Sequence, residues 1–487
     1  MLGVVVSDAD SPNTSYFTFV LNKPAPKGAY VAIENNNNYM IGSIVEVYGF
    51  NEYLSRKELY EEVEHITSQL PVNAKSITFA RVRILGSFKD GKFFQNSFSP
   101  IPGDKVKSVD QTIMKKFFGI VDNGLFLGSA RYLNLDVKID LERLFGKHLS
   151  ILAMSGAGKS NLVAVLFEEL IKRKGVIPII FDIHGEYKPF EKLYDSVLVV
   201  EGSKVKFPYK FLRESIFYDL FPDLTEQQAE ILFTNYRKYV KKLKKDPSAF
   251  SLLKFFKEYI QQDPNAKNNT VFAIKRKLKR LSKMKLIGYA YPDFRTILKQ
   301  NEGIIFDLSD IEKPHIRNIK IYYILKRLFY LRKKNLIPPV ILFLEEAHNI
   351  CPEHLQKAES LAKKEVERIS REGRKYGLSL VVISQRPAHL SQTVLSQCSS
   401  QIFLRITNPN DLAYVSKISE YIDDSILTSL PSLEPGVGVI TGAAVNSYLF
   451  VKFRRRAKEL DAFKNKGLSK MIEEWNNKKE KNYFLFK

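Results

Sequence analysis

The sequence predicts an α/β protein. A small N-terminal β-barrel precedes a mostly parallel sheet covered by helices on both faces, and a helical subdomain interrupts that sheet. Three observations predict this. From Leu149 onward, short continuous apolar runs alternate with stretches of helical spacing, the pattern of strands buried on both faces. In residues 1 to about 105, aromatic and β-branched runs recur between turn residues, the pattern of a small barrel or sandwich. Between 207 and about 300 no convincing strand run is found, and helical spacing takes over.

The elements follow in chain order. Barrel strands are expected at Tyr16–Leu21, Tyr30–Ile33, Gly42–Val47, Ser76–Leu85 and Lys92–Phe98, punctuated by turns such as Pro24-Ala25-Pro26-Lys27-Gly28 and Asp90-Gly91. A helical pattern at 54–68 interrupts them. A connector, 106–146, leads to the sheet domain, expected over 147–206 and 301–453 with the helical insertion at 207–300 between. Its strands are expected at Leu149–Met154, Val176–Asp182, Ser196–Val200, Gly303–Leu308, Val340–Leu344, Leu378–Ser384, Gln401–Thr407, Gly436–Thr441 and Ser447–Phe453. The tail, 454–487, is polar, basic and expected to be helical in part.

The stretch Leu149 to Asn161 reads LSILAMSGAGKSN. An apolar strand gives way to Ser155-Gly156-Ala157-Gly158-Lys159-Ser160-Asn161, and a helical pattern follows at once. This is the strand–loop–helix setting in which a glycine-rich loop wraps its backbone N–H groups round phosphates. The helix N-terminus adds its partial positive charge. Lys159 is expected to reach the β- and γ-phosphates of ATP, and Ser160 to hold Mg²⁺. The usual pattern opens with Gly; here that position is Ala153.

Val340 to Leu344 is an apolar run ending in Glu345-Glu346-Ala347-His348. Nucleotide hydrolysis needs an acid to hold Mg²⁺ and a base to position the attacking water. Glu345 is assigned to the metal shell and Glu346 to the water. Asp182, in Phe181-Asp182-Ile183-His184-Gly185-Glu186-Tyr187, is expected at the same carboxyl edge in a supporting Mg²⁺ role, with a helix-capping turn acid as the alternative. His184 is not expected to act as a base. Gln385, closing the run Leu378–Ser384, is placed to sense the γ-phosphate. Arg371 and Arg374 are candidates for an arginine finger reaching a neighbouring subunit; Arg405 and the Lys147-His148 pair are weaker ones.

The chain has 487 residues, 45% of them hydrophobic, enough for several cores. It carries 75 Lys+Arg against 53 Asp+Glu, a formal +22, which attracts polyanions, nucleic acid first. Basic clusters at Arg237–Lys245 and Lys275–Lys285 are candidate parts of a nucleic-acid path or simply solvated helix faces. Two cysteines, Cys351 and Cys398, exclude a disulfide framework and a cysteine metal cage, and a reducing, cytoplasmic location is expected. Residues 1–13 lack a basic segment and a long apolar core, so no secretory leader is expected. No second acidic cluster with metal-ligand spacing is evident, so DNA cleavage would need a partner.

The barrel, MSGAGKS, DIHGEY, EEAHN, SREGRKYGLSLVVISQRP and LRITNPNDLAYV occur in that order. Together they resemble the archaeal HerA helicases, of the HerA–FtsK branch of RecA-like motors, over almost the whole chain. The resemblance implies a RecA-like core, an N-terminal barrel shared with rotary ATP synthase subunits, and ATP with Mg²⁺ bound between subunits. It also implies a hexameric ring that translocates on DNA and works with a NurA-like nuclease to resect double-strand breaks. Glu345 stands where relatives often have Asp; the extra methylene keeps the charge. Two other readings share the same core: a motor for protein export, and a DNA-bound ring whose ATP switch loads a nuclease. The absence of an apolar run long enough to cross a membrane and the positive charge favour DNA.

Overall fold

The computed structural model describes residues 1–7, 11–35, 38–51, 76–243, 250–288, 291–354, 361–419 and 422–458. The helical pattern expected at 54–68, and the tail from 459 on, lie outside them. The chain divides into two compact units. One holds Met1–Gly146, Ala153–Leu162 and Ser399–Arg454; the other holds Lys147–Leu152, Val163–Cys398 and Arg455–Lys487.

In the first unit, seven strands come first: β1 (Gly3–Val6), β2 (Tyr16–Leu21), β3 (Tyr30–Asn35), β4 (Asn38–Asn51), β5 (Ser76–Lys89), β6 (Lys92–Phe94) and β7 (Lys105–Ser108). They are ordered β2-β1-β7-β3-β4-β5-β6, and β2 also pairs with β5. That pairing closes six strands into a barrel and leaves β6 as a hairpin extension of β5. Closure removes the open edges a short sheet would otherwise expose. Side chains alternate as the pleat requires: on β5, Ala80, Val82 and Ile84 point inward and are buried. They meet Phe17, Phe19, Val31, Ile33 and Val106 in one apolar core. The four-residue strands β1 and β7 were not expected from the sequence. Helix α1 (Gln111–Phe118) plugs the barrel side. Asp110 caps it by accepting from the N–H groups of Thr112 and Ile113, and Gly119 ends it at φ +71°. Its Phe118 meets Tyr30 edge-on, with ring centres 5.3 Å apart. The hairpin β8 (Leu125–Ala130) and β9 (Asp136–Ile139) follows.

The second unit is the layered one. Its strands are β10 (Leu149–Leu152), β11 (Ile177–Asp182), β12 (Val197–Glu201), β13 (Phe207–Pro208), β14 (Ile287–Gly288), β15 (Gly303–Asp307), β16 (Val340–Leu344) and β17 (Leu378–Ser384). Six of them stand in the order β12-β15-β11-β16-β17-β10, all parallel. Every residue of β11, β15 and β16 is buried, because helices cover both faces. Helix α2 (Lys159–Ile171) sends Phe167 edge-on against Phe190, 5.1 Å between ring centres. Gly303 lets it approach, since an added Cβ there would lie 2.7 Å from the Phe167 ring.

The helical subdomain comprises α3 (Glu214–Leu220), α4 (Glu226–Lys242), α5 (Asn268–Lys283), α6 (Phe294–Gln300) and shorter turns. Its core is aromatic: Phe217, Phe233, Tyr236, Tyr239 and Phe255 are buried against one another. The two-residue ladder Phe207↔Ile287, Pro208↔Gly288 ties its ends together, too short to leave a pattern in sequence. Two long helices complete the layer, α7 (Pro314–Lys333) and α8 (Leu361–Glu372).

Back in the first unit, β18 (Ser400–Phe403), β19 (Val437–Gly442) and β20 (Leu449–Phe453) join the hairpin in the order β18-β19-β20-β8-β9. These strands run antiparallel, where the sequence placed the last three with the parallel set. The short turn between β19 and β20 permits only that direction.

His148 fastens β10 to its surroundings. It is buried in a left-handed conformation (φ 68°). Its Nδ1 accepts from the N–H of Leu380 at 2.9 Å, and its Nε2 lies 3.0 Å from the carbonyl of Ser370. These partners require the neutral ring with the proton on Nε2, which leaves no charge for a finger role. Burial lowers its pKa below 6.5. The unfolded chain therefore takes up the proton first as pH falls, so stability declines below about pH 6.5. The slope attributable to one such group reaches about 1.4 kcal/mol per pH unit. Thermal unfolding followed from pH 8 to pH 5 should show this decline, and His148→Gln should flatten it.

Candidate active site

Parallel strands put their carboxyl ends on one edge, where α/β sheets bind ligands. The register fixes which residues arrive there together. Leu152, the last residue of β10, pairs with Ser384, the last of β17. Leu344 at the end of β16 pairs with Val382 and with Phe181. Asp182 pairs with Asp307. The residues after these ends therefore share an edge: Gln385 after β17, Glu345 and Glu346 after β16, and the loop leading to Tyr187 after β11. The phosphate loop leaves β10 at the same edge.

Glu345 is 1% exposed, and its Oε1 accepts from the phenol of Tyr187 at 2.6 Å. Tyr187 is fully buried; burial and the neighbouring carboxylate hold its pKa well above the ordinary phenol value, so the O–H stays a donor. Asp182 sets Tyr187 in place. Its Oδ2 accepts from the N–H of Tyr187 at 2.9 Å, and its Oδ1 accepts from Gly185 at 2.8 Å and His184 at 3.1 Å. Burial raises the pKa of Asp182, while these N–H groups pull it down. Asp182 thus organises the turn itself; the next helix, Phe190–Leu193, has Pro189 at its N-cap and no side-chain cap, so Asp182 does not cap it. His184 and Glu186 are exposed on that turn.

Glu346 is 4% exposed and left-handed, at φ 45°, ψ 46°. That conformation costs a non-glycine residue about 1–2 kcal/mol, and such strain gathers at working sites. It turns the side chain toward β17. The amide of Gln385 donates to Oε1 at 2.6 Å. His348 Nδ1 stands 3.4 Å from Oε2 and 3.1 Å from the hydroxyl of Ser384. Glu346 and Gln385 are therefore hydrogen-bonded to each other at one edge, a contact the sequence did not suggest. Tyr187, His348 and Ser384 are partners that sequence reasoning assigned no role. DIHGEY and EEAHN flagged two of them only as parts of motifs.

The phosphate loop belongs to the first unit, which buttresses it from behind. Met154 N–H donates to the carbonyl of Arg405 at 2.9 Å, and Gly436 N–H donates to that of Ala157 at 3.0 Å. Gly156 and Gly158 take φ +76° and +101°. At Gly158 a Cβ would also sit 3.0 Å from the Gly436 nitrogen, so glycine is required twice over. Lys159 opens α2 and is 8% exposed; Ser160 is half-buried. Asn161 donates to the carbonyl of Arg454 at 2.8 Å, a structural bond. Ser155 is exposed. Arg405 lends its carbonyl to the loop.

Among the described residues no cluster of three or more His, Cys, Asp or Glu side chains forms a metal cage. Mg²⁺ prefers one or two carboxylates plus substrate phosphates and water, and the Glu345 carboxylate is a hard oxygen donor of that kind. Both cysteines are buried, and burial raises their thiol pKa values. Among the described residues no helix is long and apolar enough to cross a membrane.

The family description "Helicase HerA, central domain" matches residues 125–328. A DNA double-strand break repair helicase HerA from Sulfolobus acidocaldarius is 30% identical over 501 aligned positions, covering 95% of this chain and 94% of that one. The chain belongs to the HerA helicase family. A probable helicase of Methanocaldococcus jannaschii is also 30% identical, covering 89% of this chain and 87% of that one. Among solved structures, VirB4 of Thermoanaerobacter pseudethanolicus aligns with a TM-score of 0.54 at 18% identity, over 70% of this chain and 99% of that one. This is a likeness of fold.

Two arginines of this HerA-family chain stand apart from the edge just described. Arg371 is exposed in the last turn of α8, and Arg374 is exposed in the turn before β17. Both precede the amino end of β17, a seven-residue strand whose length separates them from Gln385 by about 23 Å. They do not reach the site of their own subunit.

Tyr187 yields a test of its own. Tyr187→Phe removes one O–H and leaves the ring. Glu345 should then be less well aimed, so half-maximal ATPase rate should need several-fold more Mg²⁺ while the rate at saturating Mg²⁺ falls less. An unchanged Mg²⁺ titration would show that the phenol does not position the carboxylate.

Proposed function

We propose that this HerA-family chain is an ATP-driven DNA translocase and helicase that acts at double-strand breaks, as a hexameric ring, with a NurA-like partner nuclease. The observation that carries this reading is the edge itself. The strand that feeds the glycine loop lies beside the strand that Gln385 follows, and that strand lies beside the one that Glu345-Glu346 follow.

The roles follow from the chemistry. Backbone N–H groups of Ser155 to Asn161 cradle the phosphates, and Lys159 neutralises charge on the β- and γ-oxygens. Ser160 and Glu345 are the residues to hold Mg²⁺, with Asp182 acting through Tyr187. When bound, the ion supplies charge neutralisation at the phosphates. Glu346 takes the proton of the attacking water, and Gln385, already bonded to it, orients that water against the γ-phosphate. Arg371 or Arg374 reaches the neighbouring subunit's nucleotide. That assignment gives the ring its need: ATP turnover requires two adjacent protomers. Contacts to the phosphate backbone rather than to bases suit a motor that accepts any sequence. The segment after Gln385, including His389 to Ser400, and the helical subdomain are the parts assigned to the pore.

The test is ATPase rate against linear DNA and against unfolded protein, with particle mass measured alongside. A ring whose turnover rises on DNA is expected. Stimulation by unfolded protein and not by DNA would overturn the reading in favour of an export motor. Nuclease stimulation without strand displacement would overturn it in favour of a switch.

A further inference from the structure

A pocket of about 720 Å³ lies in the second unit, where the start of the helical subdomain, α6, α7 and α8 meet. Its wall carries Lys210, Arg213, Arg327, Lys333 and Lys334. Among the described residues none of these five has a carboxylate within ion-pair distance. The two further cations, Lys326 and Arg368, are partly neutralised, by Asp219 at 3.7 Å and Glu365 at 3.5 Å. Aromatic rings stand between the charges. Tyr330 is 49% exposed, with the Arg327 guanidinium 5.5 Å from its ring centre; Phe211, half-buried, also lines the pocket, its ring 4.7 Å from that of Tyr323.

The pocket is not the nucleotide site. Helix α7 starts after β15, at the carboxyl edge, and ends before β16, at the amino edge. Tyr330 therefore lies about 24 Å along it from the nucleotide edge.

Solvent-facing cations around exposed rings are the elements of single-strand binding: charge tracks the phosphates and rings stack on unpaired bases. A duplex offers its phosphates but hides its base faces, so it would leave the exposed ring of Tyr330 unused. The volume matches a ligand of about one or two nucleotides. We propose that this pocket is an accessory site for single-stranded DNA, remote from the ATP edge. The inference rests on the DNA reading above and gives the motor a hold on a separated strand.

The experiment uses the full chain without nucleotide. Anisotropy of a labelled oligothymidylate, and of a duplex of equal length, is titrated at several salt concentrations. Arg327→Glu with Lys333→Glu should weaken single-strand binding about tenfold or more, with the salt slope reduced by about 0.7 for each phosphate that is no longer neutralised. Tyr330→Ala should weaken it several-fold, and Tyr330→Phe should restore it. Basal ATPase should be unchanged in all of these, and Lys159→Ala should bind the strand normally, so failure of the ATP roles and failure of the pocket separate. Independently of any variant, a halogenated single strand should photo-crosslink to Tyr330. Parental affinity in every variant, equal losses on duplex and single strand, displacement of the strand by a free mononucleotide, or a changed particle mass would each overturn the proposal, the last by making this face an interface between copies.

Discussion

Glu346→Gln should stop ATP turnover while leaving ATP bound. The substitution is nearly isosteric, and its carbonyl still accepts from the Gln385 amide that now meets Oε1 at 2.6 Å. What disappears is basicity. Removing a positioned base lowers a rate by about 10²–10⁴-fold, so single-turnover hydrolysis should fall by that factor. Nucleotide affinity should stay within a few-fold of the parent. The strained backbone at Glu346 (φ 45°) is common to both side chains, so thermal stability should be preserved. Hydrolysis within tenfold of the parent would move the base elsewhere, and no other buried carboxylate is hydrogen-bonded to Gln385 among the described residues. Glu345→Gln makes the useful contrast, because its defect should ease as Mg²⁺ is raised and that of Glu346→Gln should not.

What the sequence made legible, and what it hid, follows from the range of each interaction. The phosphate loop and the acid pair are local: a strand, its terminal residues and the next turn lie within a dozen positions, and composition alone marks them. Barrel strands with aromatic alternation, such as Tyr16–Leu21, showed themselves for the same reason. The strand Lys105–Ser108 did not, because it buries only Val106 and carries no period. The antiparallel course of β18, β19 and β20 was hidden as well, since an apolar run reports burial and not direction. The largest omission is Tyr187. Its bond to Glu345 spans 158 positions, and in sequence a tyrosine after an acidic turn reads as core. Conversely, Arg371 and Arg374 stood out as charges near a motif. Only the parallel order of the sheet places them at the edge opposite Gln385, and so turns the choice between structural residue and finger into a question about the neighbouring protomer.

Lys159→Ala should have the other large effect, and a different one. Lys159 is the first residue of α2 and is 8% exposed, so its ammonium is held where little water screens it. Deleting it removes a full charge from the phosphate cradle in both the bound state and the transition state. Loss of one transition-state donor costs about 10²–10³ in rate, and a charge in this setting more, so turnover should fall below detection. Unlike Glu346→Gln, this variant should also lose affinity for ATP, because the contact is made before chemistry begins. Lys159→Arg should not restore activity: a planar guanidinium spreads its charge over a fork and does not reproduce the compact point charge of an ammonium. Measured by titration with a fluorescent ATP analogue, the two variants should therefore part company, one binding without hydrolysing and the other doing neither. If Lys159→Ala bound ATP as tightly as Glu346→Gln, the loop would be a turn between strand and helix, and the edge of the sheet would need another substrate.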